Sequence, residues 1–237
     1  MKIVFIRHGE PDKSVVDARG FIGQGRDLAP LTELGRQQAA QAADSPLLKS
    51  CQLIVASPYT RALQTAAIIS RKTGLDLLVE TDLHEFIPDK AFQVRGEEEN
   101  KALHKDFMHC RGEYPPGETR KWETILEIIA RTKPVLDKYA ALCYEKIAVV
   151  AHGSVILRYT GVGLIAHGEV CEIEYTPDLS PLAGSKTQKR ASEPQSSDAR
   201  FMMRLIPPQG RTYLSRYLPR RPLEAADSPH APSGQRP

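Results

Sequence analysis

The 237-residue sequence has few cysteines and no pattern that pairs them. They are widely spaced, without a CxxC motif, at Cys51, Cys110, Cys143 and Cys171. This spacing favours reduced, mostly buried thiols over a disulfide framework or a zinc site, although the sequence alone leaves disulfides open. No apolar run approaches the ~20 residues that a membrane-spanning helix needs, and no cleavage site follows an apolar stretch near the N-terminus. We therefore expect a cytoplasmic protein without a signal peptide or a membrane partner.

A strong net charge is also missing, at +3 overall, but the charge is unevenly distributed. Residues 178–237 carry 10 Lys or Arg against 5 Asp or Glu and are rich in Pro, Ser and Gln. Such a composition buries little apolar surface. We therefore expect four parts: a domain over 1–177, a flexible insertion over 178–199, an edge strand of the same domain over 200–206, and a basic, disordered tail over 207–237. Binding of this basic tail to an anionic surface stays an alternative to a solvated tail. The lack of aromatic residues between the basic ones argues against binding of nucleic acid.

Short apolar runs alternate with helical patterns along the first 177 residues. Strands are predicted at residues 3–6, 53–56, 75–79, 147–150 and 170–175. One helix is predicted to begin after Thr32, its N-cap, and a second to run from Pro58, its first residue, to Thr73. Two more are predicted over 119–142 and after Ser154, and residues 88–118 are predicted to be irregular. Strands that alternate with helices predict a three-layer α/β/α fold with a mostly parallel, Rossmann-like sheet.

Three of these strands end in reactive side chains. The first leads into Arg7 and His8, the second into Ser57 and Arg61, and a later one into His152. Because parallel strands bring their carboxyl ends to one edge, we expect these groups to share a crevice. The arginine fork matches phosphate oxygens, so two arginines and two histidines without metal-ligand spacing indicate an oxyanion pocket. A single histidine is more often structural, but two His-Gly steps after buried strands weaken that interpretation.

Five short motifs occur in order within residues 1–176. They are Arg7-His8-Gly9-Glu10, Pro30-Leu31-Thr32-x-x-Gly35-x-x-Gln38-Ala39, Ser57-Pro58-x-x-Arg61-x-x-x-Thr65-Ala66, Leu83-x-Glu85 and Ala151-His152-Gly153. Together they resemble the histidine phosphatase superfamily, the phosphoglycerate mutase-like proteins. Gly117-Glu118-Thr119, with Arg131 further along, also looks like the middle region of that family.

The resemblance implies a phosphoryl-transfer enzyme that needs no metal ion or cofactor. It implies that His8 is the nucleophile and that Glu85 donates the proton to the leaving alcohol. Arg7, Arg61 and His152 would then bind the phosphate oxygens.

Three further residues are weaker candidates on the same motifs. Gly153 and Ser14 are candidates for phosphate binding, and Glu10 is a second candidate for the acid. Family members often carry Thr, Ser or Gln where Pro11 stands and Asn where Ser14 stands, so this flank departs from the pattern.

The chemistry of the implied nucleophile sets further expectations. An imidazole has an unperturbed pKa of about 6.5, so its neutral form is available near neutral pH. We expect a hydrogen bond from one ring nitrogen to a backbone carbonyl to fix the tautomer of His8. We expect His152 to be protonated beside the phosphate, and a carboxyl group to be partly protonated near neutral pH.

The sequence predicts a phosphatase that hydrolyses phosphomonoesters of small metabolites through a phosphohistidine. The stretch between Glu85 and His152 is shorter than in typical mutases, which favours a phosphatase over a mutase-type phosphoryl transferase. A catalytically weak member that binds phosphorylated ligands or a protein stays an alternative, and the oligomeric state is open. The substrate wall is expected from residues 20–30 and 86–118, with the candidates Tyr59, Phe86, Phe92, Phe107, Arg19, Arg26 and Arg95.

Overall fold

The computed structural model describes residues 1–161, 163 and 165–182. The structure has five strands in these residues: β1 (Lys2–Arg7), β2 (Ile54–Ala56), β3 (Leu77–Val79), β4 (Lys146–Ala151) and β5 (Val170–Glu174). They form one sheet in the order β3-β2-β4-β1-β5. The first four are parallel to their neighbours, whereas β5 pairs antiparallel with β1. The predicted mostly parallel sheet is confirmed. The predictions for 200–206 and 207–237, and for all but the first residues of 178–199, lie outside the described residues.

Helices cover both faces of this sheet. They are α1 (Ser14–Asp17), α2 (Glu33–Ala42), α3 (Thr60–Thr73), α4 (Glu97–His109), α5 (Ile125–Ala141) and α6 (Gly153–Thr160). Side chains alternate along β1, so Ile3 and Phe5 join the core that contains residues of α5 and α6. Val4 and Ile6 join the other core, with residues of α2 and α3. The three-layer prediction is confirmed, and none of the helices described here has the length and apolar character of a membrane span.

Helix boundaries follow local capping, and one of them corrects a prediction. Helix α2 begins as expected, because the Thr32 hydroxyl accepts a hydrogen bond from the Gly35 amide at 2.9 Å. The prediction that Pro58 is the first helical residue is wrong, since α3 begins at Thr60 with Tyr59 as its N-cap. The Ser57 hydroxyl accepts a hydrogen bond from the Tyr59 amide at 3.3 Å, and this turn delays the helix by two residues.

The region between Glu85 and β4 also differs from expectation. The prediction of an irregular 88–118 missed helix α4. Its first turn contains Glu97, Glu98 and Glu99, and this acidic run stabilises the positive end of the helix dipole. Helix α5 begins at Ile125 rather than near 119, because Thr124 and Glu127 form a reciprocal capping box there.

Close backbone contact joins the end of β1 to helix α2. A Cβ atom on Gly9 would overlap the carbonyl oxygen of Gly35, and one on Gly35 would overlap that of Glu10. The Gln38 side chain accepts the Glu10 amide at 2.8 Å, and the Thr65 hydroxyl accepts the Gly9 amide at 3.0 Å. The motif residues on α2 and α3 therefore hold both helices against the strand end that leads into His8.

Candidate active site

A cavity of about 340 Å³ opens where β1 ends. Its walls come from the strand end, the segment after α1, the start of α3, residues 85–94 and the loop before β5. The polar groups among its lining residues are Arg7, His8, Lys13, Gln24, Arg26, Asp27, Tyr59, Arg61, Glu85, Asp89, Asn100 and His167. Cations and imidazoles thus meet three carboxylates in one cleft.

The ring of His8 is buried and held in a single tautomer. Its Nδ1 lies 2.7 Å from the Gly9 carbonyl oxygen, and Arg61 Nε donates to its Nε2 at 3.3 Å. A carbonyl oxygen only accepts, so the proton is on Nδ1 and Nε2 carries the lone pair. Burial and the Arg61 charge lower the pKa of His8 well below its usual range. The expected backbone hydrogen bond is present, and the ring is neutral at neutral pH.

His152 is fully buried behind His8, with their ring centroids 5.0 Å apart, and does not itself line the cavity. Its Nε2 pairs with the Ser57 hydroxyl at 2.7 Å, while its buried Nδ1 has no hydrogen-bond partner among the described residues. Burial and the Arg61 charge lower its pKa well below the usual range, so this environment does not favour the expected protonated His152. The double charge of a phosphate ester would act in the opposite direction.

Arg7 is fixed by the loop before β5. One terminal nitrogen donates to the Ile165 carbonyl at 2.6 Å, whereas the buried Nε has no partner within the described part of the chain. Buried polar atoms are almost always hydrogen-bonded in proteins. The unpaired nitrogens of Arg7 and His152 therefore fit an anionic ligand at this strand end.

Arg61 links the nucleophile candidate to an acidic neighbour. Its terminal nitrogen pairs with Asp27 at 2.9 Å, and its guanidinium carbon lies 5.0 Å from the centroid of the Tyr59 ring. Burial raises the pKa of Asp27, and the Arg61 charge opposes that rise. Asp27 is absent from the sequence predictions, because a lone carboxylate in a Gly-rich loop carries no pattern.

Glu85 lines the same cavity from the segment that follows β3. Its Oε1 accepts a hydrogen bond from the Phe86 amide at 2.8 Å, so the carboxyl group stays close to its own backbone. The predicted group of Arg7, His8, Arg61 and Glu85 is thus brought together, with His152 directly behind His8.

None of the three weaker candidates lines the cavity. Ser14 is exposed on α1, and both its amide and its hydroxyl donate to Asp12. The Glu10 carboxylate accepts the Thr32 hydroxyl at 2.7 Å and does not line the cavity. Gly153 starts α6 beside Arg7, where a Cβ would make only an ordinary contact at 3.7 Å.

A family model matches residues 3–164 and covers every strand end that forms this cavity. The chain belongs to the histidine phosphatase superfamily (branch 1). The match stops before β5, so it does not cover the loop that contains His167.

Relatives of this histidine phosphatase include both phosphatases and mutases. The protein provisionally named phosphoserine phosphatase 2 of Hydrogenobacter thermophilus is 30% identical over 174 residues, which are 69% of this chain and 80% of the relative. The provisionally named phosphoglycerate mutase GpmB of Proteus mirabilis is 27% identical over 176 residues, which are 71% of this chain and 78% of the relative. A solved mycobacterial glucosyl-3-phosphoglycerate phosphatase in complex with VO3 superposes with a TM-score of 0.56 at 25% identity, covering 73% of this chain and 90% of that one.

His167 is a third histidine that sequence reasoning missed. It lines the cavity, and its ring centroid lies 5.3 Å from that of His8. Burial and the charges of Arg7 and Arg61 lower its pKa to about 4, and only Glu10 opposes them. No motif marks its loop, so the fold had to be known to find it. Ser57, in contrast, could be named from the sequence as a residue at a strand end, because it directly follows a buried strand.

The substrate wall of this histidine phosphatase is only partly as predicted. Tyr59, Phe86 and Phe92 line the cavity, whereas Phe107 packs into the core. Arg26 lines it too, but pairs with Asp17 at 2.6 Å; Arg19 and Arg95 are not among the lining residues. Among the residues that the structure describes, no group of three or more His, Cys, Asp or Glu side chains is arranged so that it could hold a metal ion.

Glu118 and Arg131 of the middle-region motif have different partners. Glu118 is exposed and pairs with Arg120 at 2.7 Å. The acidic partner of Arg131 is Glu123, at 2.6 Å, directly before the N-cap of α5.

Proposed function

We propose that this protein is a metal-independent phosphatase that hydrolyses phosphomonoesters of small metabolites through a phosphohistidine on His8. The observation that carries the proposal is the tautomer of His8. Its Nδ1–H donates to Gly9, which leaves the Nε2 lone pair beside the Arg61 guanidinium. A cytoplasmic location belongs to the same proposal.

In the first half of the reaction, His8 Nε2 attacks phosphorus in line with the leaving oxygen. Arg7, Arg61 and His152 bind the phosphate oxygens, which neutralises the charge that phosphoryl transfer concentrates there. The bond from phosphorus to the ester oxygen breaks, and Glu85 gives its proton to the leaving alcohol. The products are the alcohol and a phosphohistidine.

In the second half, water attacks the phosphohistidine. The Glu85 carboxylate, now deprotonated, accepts a proton from that water as the new bond to phosphorus forms. The bond from phosphorus to Nε2 breaks, which releases inorganic phosphate and returns His8 to its neutral form. Arg7 Nε and His152 Nδ1 have no hydrogen-bond partner among the described residues, which supports a phosphate position close to His8.

Hydrolysis and isomerisation can be separated in one experiment. The purified chain is incubated with p-nitrophenyl phosphate and with phosphorylated metabolites, including phosphoserine and 3-phosphoglycerate, from pH 4 to pH 8. We expect net phosphate release, and an acid-labile, base-stable ³²P label on the wild type that His8→Ala lacks. Conversion of 3-phosphoglycerate to its isomer without net release would favour the mutase alternative. No release at any pH would favour the non-catalytic ligand-binding alternative.

A further inference from the structure

Arg131 of helix α5 forms hydrogen bonds with the backbone of the segment that contains Glu85. Its guanidinium donates to three backbone carbonyls, those of Asp82 at 2.6 Å, His84 at 2.9 Å and Glu85 at 3.3 Å. Residues 84–88 belong to no strand or helix. A side chain therefore supplies the hydrogen bonds that regular secondary structure supplies elsewhere in the site.

Glu123 holds the same segment from the other side. Its buried carboxylate accepts Nε of Arg131 at 2.6 Å and a terminal nitrogen at 3.0 Å. The oxygen that accepts this terminal nitrogen also accepts the Ile87 amide at 3.2 Å, and the Glu123 amide donates to the Ile87 carbonyl at 2.9 Å. The pair thus fixes the backbone both before and after Glu85.

The start of α5 places the two members of the pair on one side of the helix. Glu123 directly precedes the capping box of Thr124 and Glu127, and Arg131 follows about two helical turns later. A buried ion pair is weak evidence for stability, because desolvation offsets much of its attraction. The planar guanidinium serves one carboxylate and three carbonyls at once, which a lysine ammonium cannot reproduce.

The Glu85 carboxyl group follows its backbone. Since its Oε1 accepts the next amide in the chain, that of Phe86, a displacement of this backbone displaces the carboxyl group as well. We infer that Arg131 and Glu123 are positioning residues that hold the Glu85 carboxyl group at the leaving oxygen of the ester. The inference rests on the proposed function, in which Glu85 is the proton donor.

A misplaced proton donor has a kinetic signature. An alkyl phosphate leaves as a strongly basic alkoxide and needs the proton, whereas p-nitrophenolate leaves without one. General acid catalysis typically contributes about 10²- to 10⁴-fold. Loss of positioning should therefore slow alkyl esters selectively, which a general loss of folded protein cannot imitate.

The test compares Arg131→Lys and Glu123→Gln with Glu85→Gln as the reference variant. The substrates are β-glycerol phosphate and p-nitrophenyl phosphate, and the exchange of backbone amides in residues 81–88 is followed by mass spectrometry. For both positioning variants we expect kcat/KM for β-glycerol phosphate to fall roughly 10-fold or more and kcat/KM for p-nitrophenyl phosphate less than about 3-fold. The comparison uses kcat/KM because kcat also contains hydrolysis of the phosphohistidine, in which Glu85 acts on the same intermediate for both esters. Amide exchange in 81–88 should accelerate.

The matched control is Arg36→Lys, an exposed arginine on α2 that likewise pairs with a glutamate and donates to a backbone carbonyl. It should change neither readout. Equal losses on both esters, or unchanged exchange in 81–88, would overturn the inference while the proposed function stands. A wild type that hydrolyses neither ester would overturn the proposed function and the inference with it. Two variants are used so that one that fails to fold leaves the other to decide.

Discussion

The two ends of the cavity are built differently. At one end, His8 and His152 follow β1 and β4, and the sheet continues up to them, since the His8 amide donates to the Ala151 carbonyl at 3.1 Å. At the other end, Asp27, Glu85 and Phe92 stand on segments outside the sheet. The proposed nucleophile thus rests on the end of the sheet, while the groups proposed to meet the leaving alcohol stand on segments outside it. Chemistry and substrate choice can therefore vary separately.

The largest effect should come from the strand end. We expect His8→Ala to lower kcat/KM for p-nitrophenyl phosphate by a factor on the order of 10⁴ or more, because this change removes the Nε2 lone pair that is proposed to attack phosphorus. Steady-state kinetics measure this loss. His109→Ala, at the exposed end of α4, serves as the control and should retain wild-type rates. A His8→Ala variant with more than a tenth of wild-type activity would refute the assignment of the nucleophile.

Arg61 joins the two ends, since it contacts both His8 and Asp27. Arg61→Ala removes a charge-assisted donor from the phosphate, and we expect kcat/KM to fall by roughly 10²- to 10³-fold. Arg71→Ala, exposed on the same helix, provides the matched control. If inhibition by vanadate is unchanged in Arg61→Ala, then this arginine does not bind the phosphoryl group.

The same comparison explains what the sequence revealed. Arg7, His8 and His152 were predictable because an apolar run that stops at a charged or titratable residue marks a strand end, and parallel strand ends converge. Asp27 and His167 reach the cavity through loop paths that leave no periodic signal. Glu123 was missed for a further reason, since the contact with Arg131 depends on where α5 begins, and the capping box shifts that start past residue 119.

Close packing behind the strand end predicts a stability effect. Gly35→Ala should destabilise the protein by about 1–3 kcal/mol, because the new methyl group would overlap the Glu10 carbonyl oxygen. Helix propensity alone predicts a gain of ~1 kcal/mol for the same change. Urea denaturation gives the free energy of unfolding. Gly96→Ala, with no atom within 4 Å of the added carbon, should cost less than about 1 kcal/mol. A stabilised Gly35→Ala would show that α2 is free to move away from β1.

The loop-built end predicts a gain in phosphate affinity. Asp27 pairs with Arg61 and lines the cavity, so its carboxylate would compete with a phosphate for this guanidinium and repel the dianion. We therefore expect Asp27→Asn to lower the inhibition constant of inorganic phosphate roughly 3- to 10-fold, measured by competition with p-nitrophenyl phosphate. Asp44→Asn, exposed and paired with Lys72, should leave it unchanged. Weaker inhibition in Asp27→Asn would mean that Asp27 orients Arg61 for phosphate rather than competing with it.

The smallest effect concerns the third histidine. Burial and the charges of Arg7 and Arg61 lower the pKa of His167 to about 4 against the opposing charge of Glu10, whereas the unfolded chain titrates near 6.5. Between these values the unfolded state binds more protons, so stability falls as pH falls from about 6.5 towards 4. His167→Gln removes this contribution, and the loss of Tm between pH 7 and pH 5 should shrink by about 1–3 °C, since the residue is only partly buried and solvent weakens the effect. His109→Gln controls for an exposed histidine; an unchanged pH dependence in His167→Gln would show that this loop does not shield the ring.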